Sequence, residues 1–245
     1  MDDQLYLGEL ASALFYLAVG ARLIRLASRT GEAPERLLGL LFLVSGTSYF
    51  VYWIPTPNPA LWTPLAFAGR VLYLPAPVIL AVFTQRVFRP DDAWAAWLVW
   101  GTAALLVAGV TGSALSGDFE GYSISNPWFW PEWLGYTLPF GWAGVETLHQ
   151  HSQAQRRLKL GLCDPLVCNR FLLWGLFGVL QVGASVAVLG QYAAYEQQGV
   201  FTATWDFLLG AIEIGSLAPI WLVFFPPALY RRWVAGSHLA ATPVA

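Results

Sequence analysis

Charged side chains are scarce in this sequence. Asp, Glu, Lys and Arg make up 11% of its 245 residues, against about 25% in a typical globular chain, which argues against a soluble domain. The chain has one lysine and no run of basic residues, so nothing indicates a nucleic-acid interface. Its two cysteines, Cys163 and Cys168, fall in a loop that we place in the cytoplasm, where no structural disulfide is expected.

Catalytic signatures are missing as well. The sequence has no glycine-rich phosphate loop, no H-E-x-x-H and no G-x-S-x-G. Its three histidines, His149, His151 and His238, lie outside the apolar segments. A haem between helices or an intramembrane metal hydrolase needs histidines within the helices. The sequence therefore favours a protein that is not an enzyme, and it identifies no cofactor.

What the chain does contain is apolar sequence. Hydrophobic residues make up 57% and there are 13 tryptophans, a residue that collects at membrane interfaces. A membrane-spanning helix needs roughly 20 mostly apolar residues, and seven segments qualify. The sequence predicts a single all-α domain over residues 1–245, an integral membrane bundle of seven transmembrane helices. Predicted helices 1 to 7 cover residues 5–26, 37–54, 61–85, 93–115, 128–148, 170–195 and 204–230.

Basic residues give the orientation, because they stay on the cytoplasmic side of a membrane. All of them except Arg70 lie at the connections that follow predicted helices 1, 3, 5 and 7. The sequence therefore predicts an outer N-terminus and a cytoplasmic C-terminus. The first residues are acidic, which does not suit a cleavable signal peptide, so we expect helix 1 to be retained.

The connections differ in the partners they offer. The outer connection of residues 116–127 is rich in turn-forming residues and is expected to fold over the outer end of the bundle. Residues 149–169 form the longest inner loop, which is the polar stretch large enough to bind a cytoplasmic or membrane protein partner. Membrane lipid is the other partner that the composition implies.

Charges inside predicted helices are the sharpest functional signal, because an ionisable group in hydrocarbon is costly unless it is paired or hydrated. Arg70 lies eight residues inward from Trp62, and Glu213 lies eight residues inward from Trp205. At about 1.5 Å per residue, both lie roughly 12 Å below the outer interface. We therefore predict an ion pair between Arg70 and Glu213. Glu9, slightly shallower in helix 1, is a second candidate partner.

Two interpretations of this pair stay open. In one, a buried ion pair fixes helix packing and has no further role. In the other, the charges face an outward-opening pocket in which Arg70 binds an anionic group or Glu213 carries a proton. Further candidates for the lining of such a pocket are Tyr49, Trp53, Tyr73 and Gln181. Most aromatic residues at this depth also suit the interfacial belt.

Three smaller features carry local predictions. Glu132, near the outer end of helix 5, is expected to be hydrated. Glu146, near the inner end of the same helix, is expected to pair with a loop arginine. Asp164-Pro165 is predicted to form a turn, with Asn169 capping helix 6.

The inner loop also holds weak candidates for a metal site. His149 and His151 precede Cys163 and Cys168 in one loop, and His and Cys are zinc donors. The C-x4-C spacing is loose, however, and H-x-H needs an extended backbone to converge on one ion. The sequence therefore favours no metal here.

The seven-helix layout resembles rhodopsin-type and receptor-type bundles and the seven-helix sensor heads of some bacterial histidine kinases, as topology over the whole span. Microbial rhodopsins hold retinal on a lysine in helix 7. This chain has Glu213 near that depth, and its one lysine, Lys159, lies in a loop, which argues against retinal. Residues 35–40 and 159–171 are also similar to segments of bacterial membrane proteins of unassigned function, which implies a bacterial inner membrane.

Three functions fit these features. The first is a non-enzymatic sensor or receptor-like protein that binds a small apolar or anionic ligand near Arg70, Glu213 and Glu9, and signals through the inner loop. The second is a small secondary transporter that uses the same charges on proline-kinked helices. The third is an accessory subunit of a larger membrane complex. A receptor predicts a pocket closed toward the inside, whereas a transporter predicts a polar path past Gln181.

Overall fold

The computed structural model describes residues 3–52, 58–121, 123–200 and 202–239, with side chains between residues 10 and 236 of those ranges. Every regular element in this part of the chain is helical, which confirms the all-α prediction. A short 3-10 turn, Pro59–Leu61, precedes α3. The α-helices are α1 Asp3–Thr30, α2 Ala33–Tyr52, α3 Trp62–Tyr73, α4 Pro75–Phe88, α5 Ala93–Leu115, α6 Phe129–Lys159, α7 Pro165–Gln198, α8 Ala203–Phe224 and α9 Ala228–Leu239.

Among the described residues, five helical stretches are long and apolar enough to cross a membrane, which indicates a multi-pass membrane protein. They are Leu10–Thr30, Pro59–Phe88, Ala93–Leu115, Pro165–Gln198 and Ala203–Phe224. The two remaining long helices are more polar. α2 begins near Glu35-Arg36 and carries the segment 45–48, Ser-Gly-Thr-Ser, while α6 ends in the polar residues 149–159.

The helices pack as a ring. α1 contacts α2, α2 contacts α3 and α4, α4 contacts α6, and the ring continues through α7 and α8 back to α1. α5 lies outside this ring against α4 and α6, and its Trp97 and Trp100 are 76% and 70% exposed. Connections between neighbours are short, so consecutive helices run antiparallel. Residues 31–32, 89–92 and 160–164 thus share one end, the arginine-rich end, and the described residues of the 116–128 and 199–202 connections share the arginine-poor end.

Prolines break two of the predicted helices. Predicted helix 3 divides at Leu74 into α3 and α4, because Pro75 has no N–H to donate to the carbonyl of Val71. The N–H of Leu74 bonds that carbonyl instead, at 3.3 Å. Predicted helix 7 is wrong beyond Phe224, where α8 ends and Pro226-Pro227 separate it from α9.

Predicted helix 4 has the bounds of α5, whereas α6 and α7 are longer than predicted helices 5 and 6. The predicted loop over residues 149–169 is wrong, because only residues 160–164 lie between these two helices. The prediction ends helix 5 where the sequence stops being apolar. The Gln, Arg and Lys residues that follow are good helix formers, and they continue α6.

A five-residue turn joins α6 to α7. Gly161 makes the turn with a φ of 70°, a conformation that glycine adopts without strain. The side chain of Asp164 accepts a hydrogen bond from the N–H of Leu166 at 2.7 Å, and Pro165 occupies the first helical position. Asp164 is therefore the cap of α7, and the prediction that Asn169 caps this helix is wrong.

An aromatic cluster fills the ring toward the arginine-rich end. Trp174 of α7 packs at its centre, with ring centroids 5.7–6.4 Å from those of its four neighbours. We call this cluster the aromatic plug; its members are Phe42, Phe83, Trp174, Phe177 and Phe224. Phenylalanine has no hydrogen-bonding side-chain atom, so the plug gives no support to a hydrated path along the ring axis.

Candidate functional site

Arg70 of α3 forms an ion pair with Glu132 of α6. The Nη2 atom of Arg70 lies 2.5 Å from Oε2 of Glu132, and its Nε lies 3.2 Å from Oε1. This two-point contact is the geometry that guanidinium and carboxylate groups favour. The two side chains are 8% and 9% exposed, so both charges are held inside the protein.

The loop of residues 116–128 covers this ion pair. The Nη1 atom of Arg70 donates to the backbone carbonyls of Asp118 at 3.2 Å and Phe119 at 2.6 Å. Gly121 has a φ of 76°, and a Cβ atom there would lie 2.4 Å from Cζ of Arg70. Glycine at this position therefore lets the loop lie against the guanidinium. With four hydrogen bonds to protein groups, Arg70 is closed to an external anion in this conformation.

Side chains latch the loop to the helices on either side. Thr63 of α3 donates to Oε1 of Glu120 at 2.6 Å. Glu196 of α7 accepts from the hydroxyl of Ser123 at 2.7 Å, and from the backbone N–H and hydroxyl of Ser125 at 2.8 and 2.9 Å. The loop is thus tied to α3 and to α7, as expected for a connection that folds over the end of the bundle.

Two glycines of α5 bring Glu132 into place. A Cβ atom on Gly109 would lie 2.5 Å from Cβ of Glu132, and one on Gly112 would lie 2.0 Å from Cδ2 of Trp128. Residues three apart share one face of a helix, so this face of α5 admits the start of α6 at very short range. Glu132 lies in the first turn of α6, where the helix dipole stabilises a carboxylate.

The predicted ion pair between Arg70 and Glu213 is wrong, because the partner of Arg70 is Glu132. The prediction that Glu132 is hydrated is wrong for the same reason. The prediction assumes that all helices begin in one plane, whereas their ends lie at different depths. α6 begins at Phe129 beneath the 116–128 loop, so a residue in its first turn meets a residue in the third turn of α3.

Some of the other predicted site residues lie around a cavity inside the helix ring. Three of them, Tyr49, Tyr73 and Gln181, line it together with Tyr16 and Ser45. The space open to the centre of a water molecule is about 20 Å³, which is room for about one water. We call this space the tyrosine cavity; its remaining walls are Leu41, Phe42, Phe140 and Phe177.

Four tyrosines run from the cavity to the ion pair. The rings of Tyr16 and Tyr49 lie 6.0 Å apart at 78°, and those of Tyr49 and Tyr73 lie 6.3 Å apart at 73°. Tyr73 packs on Tyr136 at 5.3 Å, and the hydroxyl of Tyr136 lies beside Glu132. The cavity and the ion pair are therefore adjacent parts of one buried polar region.

Glu213 lies next to the tyrosine cavity on α8. The hydroxyl of Tyr49 donates to Oε1 of Glu213 at 3.4 Å. Gln181 donates to the hydroxyl of Ser216 at 3.2 Å, and Ser216 donates to the backbone carbonyl of Glu213 at 2.7 Å. The structure thus brings Tyr49, Gln181 and Glu213 together, whereas Arg70 pairs with Glu132 in the adjacent part of the same region.

Two predicted site residues fall beyond this description. Trp53 lies outside the described residues, and so does the side chain of Glu9. Their assignment to a ligand site stays a prediction.

A second arginine–glutamate pair holds α6 at the arginine-rich end. Nε of Arg89 lies 2.8 Å from Oε1 of Glu146, and the indole N–H of Trp142 donates to the same oxygen at 3.3 Å. This confirms the predicted pairing of Glu146 with a loop arginine. The hydrogen bond that Arg89 donates to Glu146 raises the pKa of Arg89 above its ordinary value. At about 1.5 Å per residue, Glu132 and Glu146 pin α6 at points roughly 21 Å apart.

The weak metal candidates do not come together as a set of four. His151 contacts Cys168, with Nδ1 2.9 Å from the backbone carbonyl and 3.5 Å from Sγ. His149 lies against Gln153 instead, at 2.8 Å. Across the described residues, no group of three or more His, Cys, Asp and Glu side chains is placed to hold a metal ion.

Comparison with protein-family models, with curated proteins and with solved structures finds no match to this chain. Its function is therefore inferred from the two features above. The Arg70–Glu132 pair is internally neutralised and covered by a loop. The tyrosine cavity has room for one small polar group between aromatic rings, hydroxyl groups and a nearby carboxylate.

Proposed function

We propose that this chain is a receptor-like, non-enzymatic membrane protein of seven spans that binds a small molecule in the tyrosine cavity. The observation that carries the proposal is the floor of this cavity. Phe42 and Phe177 belong both to the cavity wall and to the aromatic plug, so the cavity is closed toward the arginine-rich end. A pocket closed on that side is what a receptor requires.

The seven spans follow if α2 and α6 cross the membrane with the five more apolar stretches. α2 packs between α1 and α4, and α6 packs between α5 and α7. Two residues separate α1 from α2, so α2 must run back alongside α1. Counting α3 and α4 as one proline-broken span gives seven. With the arginine-rich end in the cytoplasm, the N-terminus lies outside and the C-terminus inside, in a bacterial inner membrane.

Cysteine labelling tests this orientation. Cys163 is at the arginine-rich end, and Gln197, exposed at the other end of α7, can be replaced by cysteine in a Cys163→Ser background. A membrane-impermeant maleimide added to intact spheroplasts should label Gln197→Cys and leave wild-type Cys163 unlabelled until the membrane is opened. The reverse pattern would invert the topology, and labelling of both would contradict an odd number of spans between them.

The walls of the tyrosine cavity come from several helices, so a molecule bound there can change how those helices pack. α1, α2, α3, α6 and α7 all contribute side chains, and the present space holds about one water. A molecule larger than water must shift these helices, and a ligand that prefers the shifted arrangement changes its population. α6 and α7 continue to the 160–164 turn, so the segment 149–169 is the surface through which a cytoplasmic partner would sense the change.

A substitution that fills the tyrosine cavity tests whether the ligand binds there. Ser45 is 7% exposed at the cavity, and Ser45→Leu should occupy the space and abolish ligand-induced thermal stabilisation of the purified protein. Thr47, exposed on the same helix, supplies the matched control, because Thr47→Leu leaves the cavity open. Equal stabilisation of both variants by a ligand would contradict binding in this cavity.

Transport is the second candidate function, and the aromatic plug separates the two. A transporter needs a polar path that continues past Gln181, and the residues beyond it toward the arginine-rich end are Trp174, Phe177 and their aromatic neighbours. We expect proteoliposomes to bind the ligand without carrying it across. Ligand flux that is abolished by Ser45→Leu would favour the transporter instead.

A further inference from the structure

The helix α9 begins where a membrane-spanning helix ends. α8 is long and apolar enough to cross a membrane, and it ends at Phe224. Only residues 225–227 lie between α8 and α9. Even a fully extended link of this length spans at most roughly 14 Å. The start of α9 is therefore held close to the level at which α8 leaves the membrane.

One face of α9 packs on the bundle. Val234 is 3% exposed. The hydroxyl of Tyr230, on the same face one turn earlier, accepts a hydrogen bond from the side-chain amide of Asn169. Asn169 belongs to the second turn of α7, which begins at Pro165. α9 is thus fixed against the first turns of α7.

A neighbouring face of α9 is apolar and exposed. Leu229 is 74% exposed and Trp233 is 65% exposed. Residues at i, i+4 and i+7 share one face of a helix, so Gly236 continues it. We call these three residues the apolar face of α9. Tryptophan with one apolar surface and one indole N–H is suited to the boundary between hydrocarbon and water.

Arginines lie around this helix without acidic partners. Arg232 directly precedes Trp233, at about 100° around the helix. The guanidinium carbon of Arg22 lies 4.3 Å from the ring centroid of Phe225, in the link between α8 and α9. From residue 214 onward the sequence has no Asp or Glu. Four exposed arginines in this region form no salt bridge among the described residues: Arg22, Arg170, Arg231 and Arg232. The complementary surface is anionic.

We propose that α9 binds the surface of an anionic phospholipid membrane, with Leu229 and Trp233 at the boundary of the acyl chains and Arg231 and Arg232 at the lipid phosphates. An amphipathic helix with aromatic and aliphatic residues on one face and arginines beside it binds membranes in this way. Each arginine near an anionic surface contributes about fivefold in affinity. The proposal does not depend on the tyrosine cavity.

A fluorescent probe on the apolar face tests this proposal in the full chain. A side chain at Gly236 meets nothing within 4 Å, so Gly236→Cys in a Cys163→Ser background can carry an NBD label, while Cys168 is buried. In nanodiscs of phosphatidylcholine mixed with phosphatidylglycerol, emission should shift to shorter wavelength and acrylamide quenching should fall, relative to phosphatidylcholine alone. About 1 M salt should remove most of the difference, because it screens the charges. Equal quenching in the two lipids would overturn the proposal.

Arginine variants assign the lipid selectivity to α9. Arg231→Gln/Arg232→Gln should weaken the apparent affinity for phosphatidylglycerol, measured by titrating its fraction in the nanodisc, by at least about tenfold. Arg156→Gln/Arg157→Gln changes another exposed arginine pair, near the end of α6, and should leave the affinity unaltered. An equal loss in both double variants would contradict the assignment to α9.

The apolar face is tested separately. Leu229→Gln/Trp233→Gln replaces two exposed side chains and should abolish the blue shift of the probe in both lipids. An unchanged shift in this variant would contradict insertion of the apolar face and overturn the proposed mode of binding.

Discussion

Removing the charge of Glu132 should be the most damaging conservative change in the molecule. Glu132→Gln leaves the guanidinium of Arg70, which is 8% exposed at its side chain, as a buried cation without its counter-ion. Breaking a buried pair in this way costs about 3–5 kcal/mol. The cost is large because both side chains of the pair are buried, at 8% and 9% exposure, where a lone charge is poorly solvated.

Counting the hydrogen bonds of Arg70 gives a similar loss of stability for Glu132→Gln. Two of its four bonds go to the carboxylate oxygens of Glu132, at 2.5 and 3.2 Å, and an amide retains one acceptor of the two. The lost charge-assisted bond accounts for about 1.5–3 kcal/mol. The remainder is the attraction between opposite charges at low effective dielectric. The bonds to the Asp118 and Phe119 carbonyls stay in place and keep the loss from exceeding this range.

A double-mutant cycle separates the pair from general damage. The stability of Arg70→Gln, Glu132→Gln and the double variant is measured by detergent-induced unfolding followed through tryptophan fluorescence. Since the second change removes the uncompensated charge left by the first, the double variant should recover about 2 kcal/mol or more relative to the sum of the single changes. Glu32→Gln, at an exposed site, should lie within about 0.5 kcal/mol of wild type. Strict additivity of the two single variants would refute the pairing.

Two further predictions concern the surroundings of this pair. Gly112→Ala places a methyl group 2.0 Å from the Trp128 ring and should lower stability by about 1–3 kcal/mol. Gly101→Ala, with nothing within 4 Å of the new atom, should be neutral or stabilising by up to about 1 kcal/mol, and equal effects would exclude close packing as the cause. Glu196→Gln should speed hydrogen exchange at the Ser125 amide, which donates to Glu196, but not at the Gly121 amide, which donates to Asp118. Unaltered protection at Ser125 would show that the latch does not hold the loop.

The sequence predicts the elements better than their ends. Apolar length is visible in any window of about 20 residues, so the all-α class and the bounds of α5 are confirmed. The extension of α6 past residue 148 carries polar side chains, and α7 begins before residue 170, at Pro165. They continue as helix for reasons of propensity and capping, at Asp164 for example, which a hydropathy pattern does not contain.

The candidate site was predicted in part for a similar reason. Charge inside an apolar run is visible in the sequence, so the sequence identifies Arg70, Glu213 and the pairing of Glu146. It does not identify the partner of Arg70, because pairing depends on the depth at which each helix begins. One signal was available: Gly109 and Gly112 form a small-residue pair on α5, and such pairs mark close helix approach, here by the start of α6.

The break at Leu74 limits α3 to twelve residues, and this short helix makes two different contacts. Arg70 donates hydrogen bonds to the 116–128 loop, and Tyr73, about one turn further along α3, lines the tyrosine cavity. At about 1.5 Å per residue, the two contacts are roughly 4.5 Å apart along a single axis. Loop and cavity are therefore both in contact with α3, so we expect a displacement of the loop to reach the cavity through this one helix.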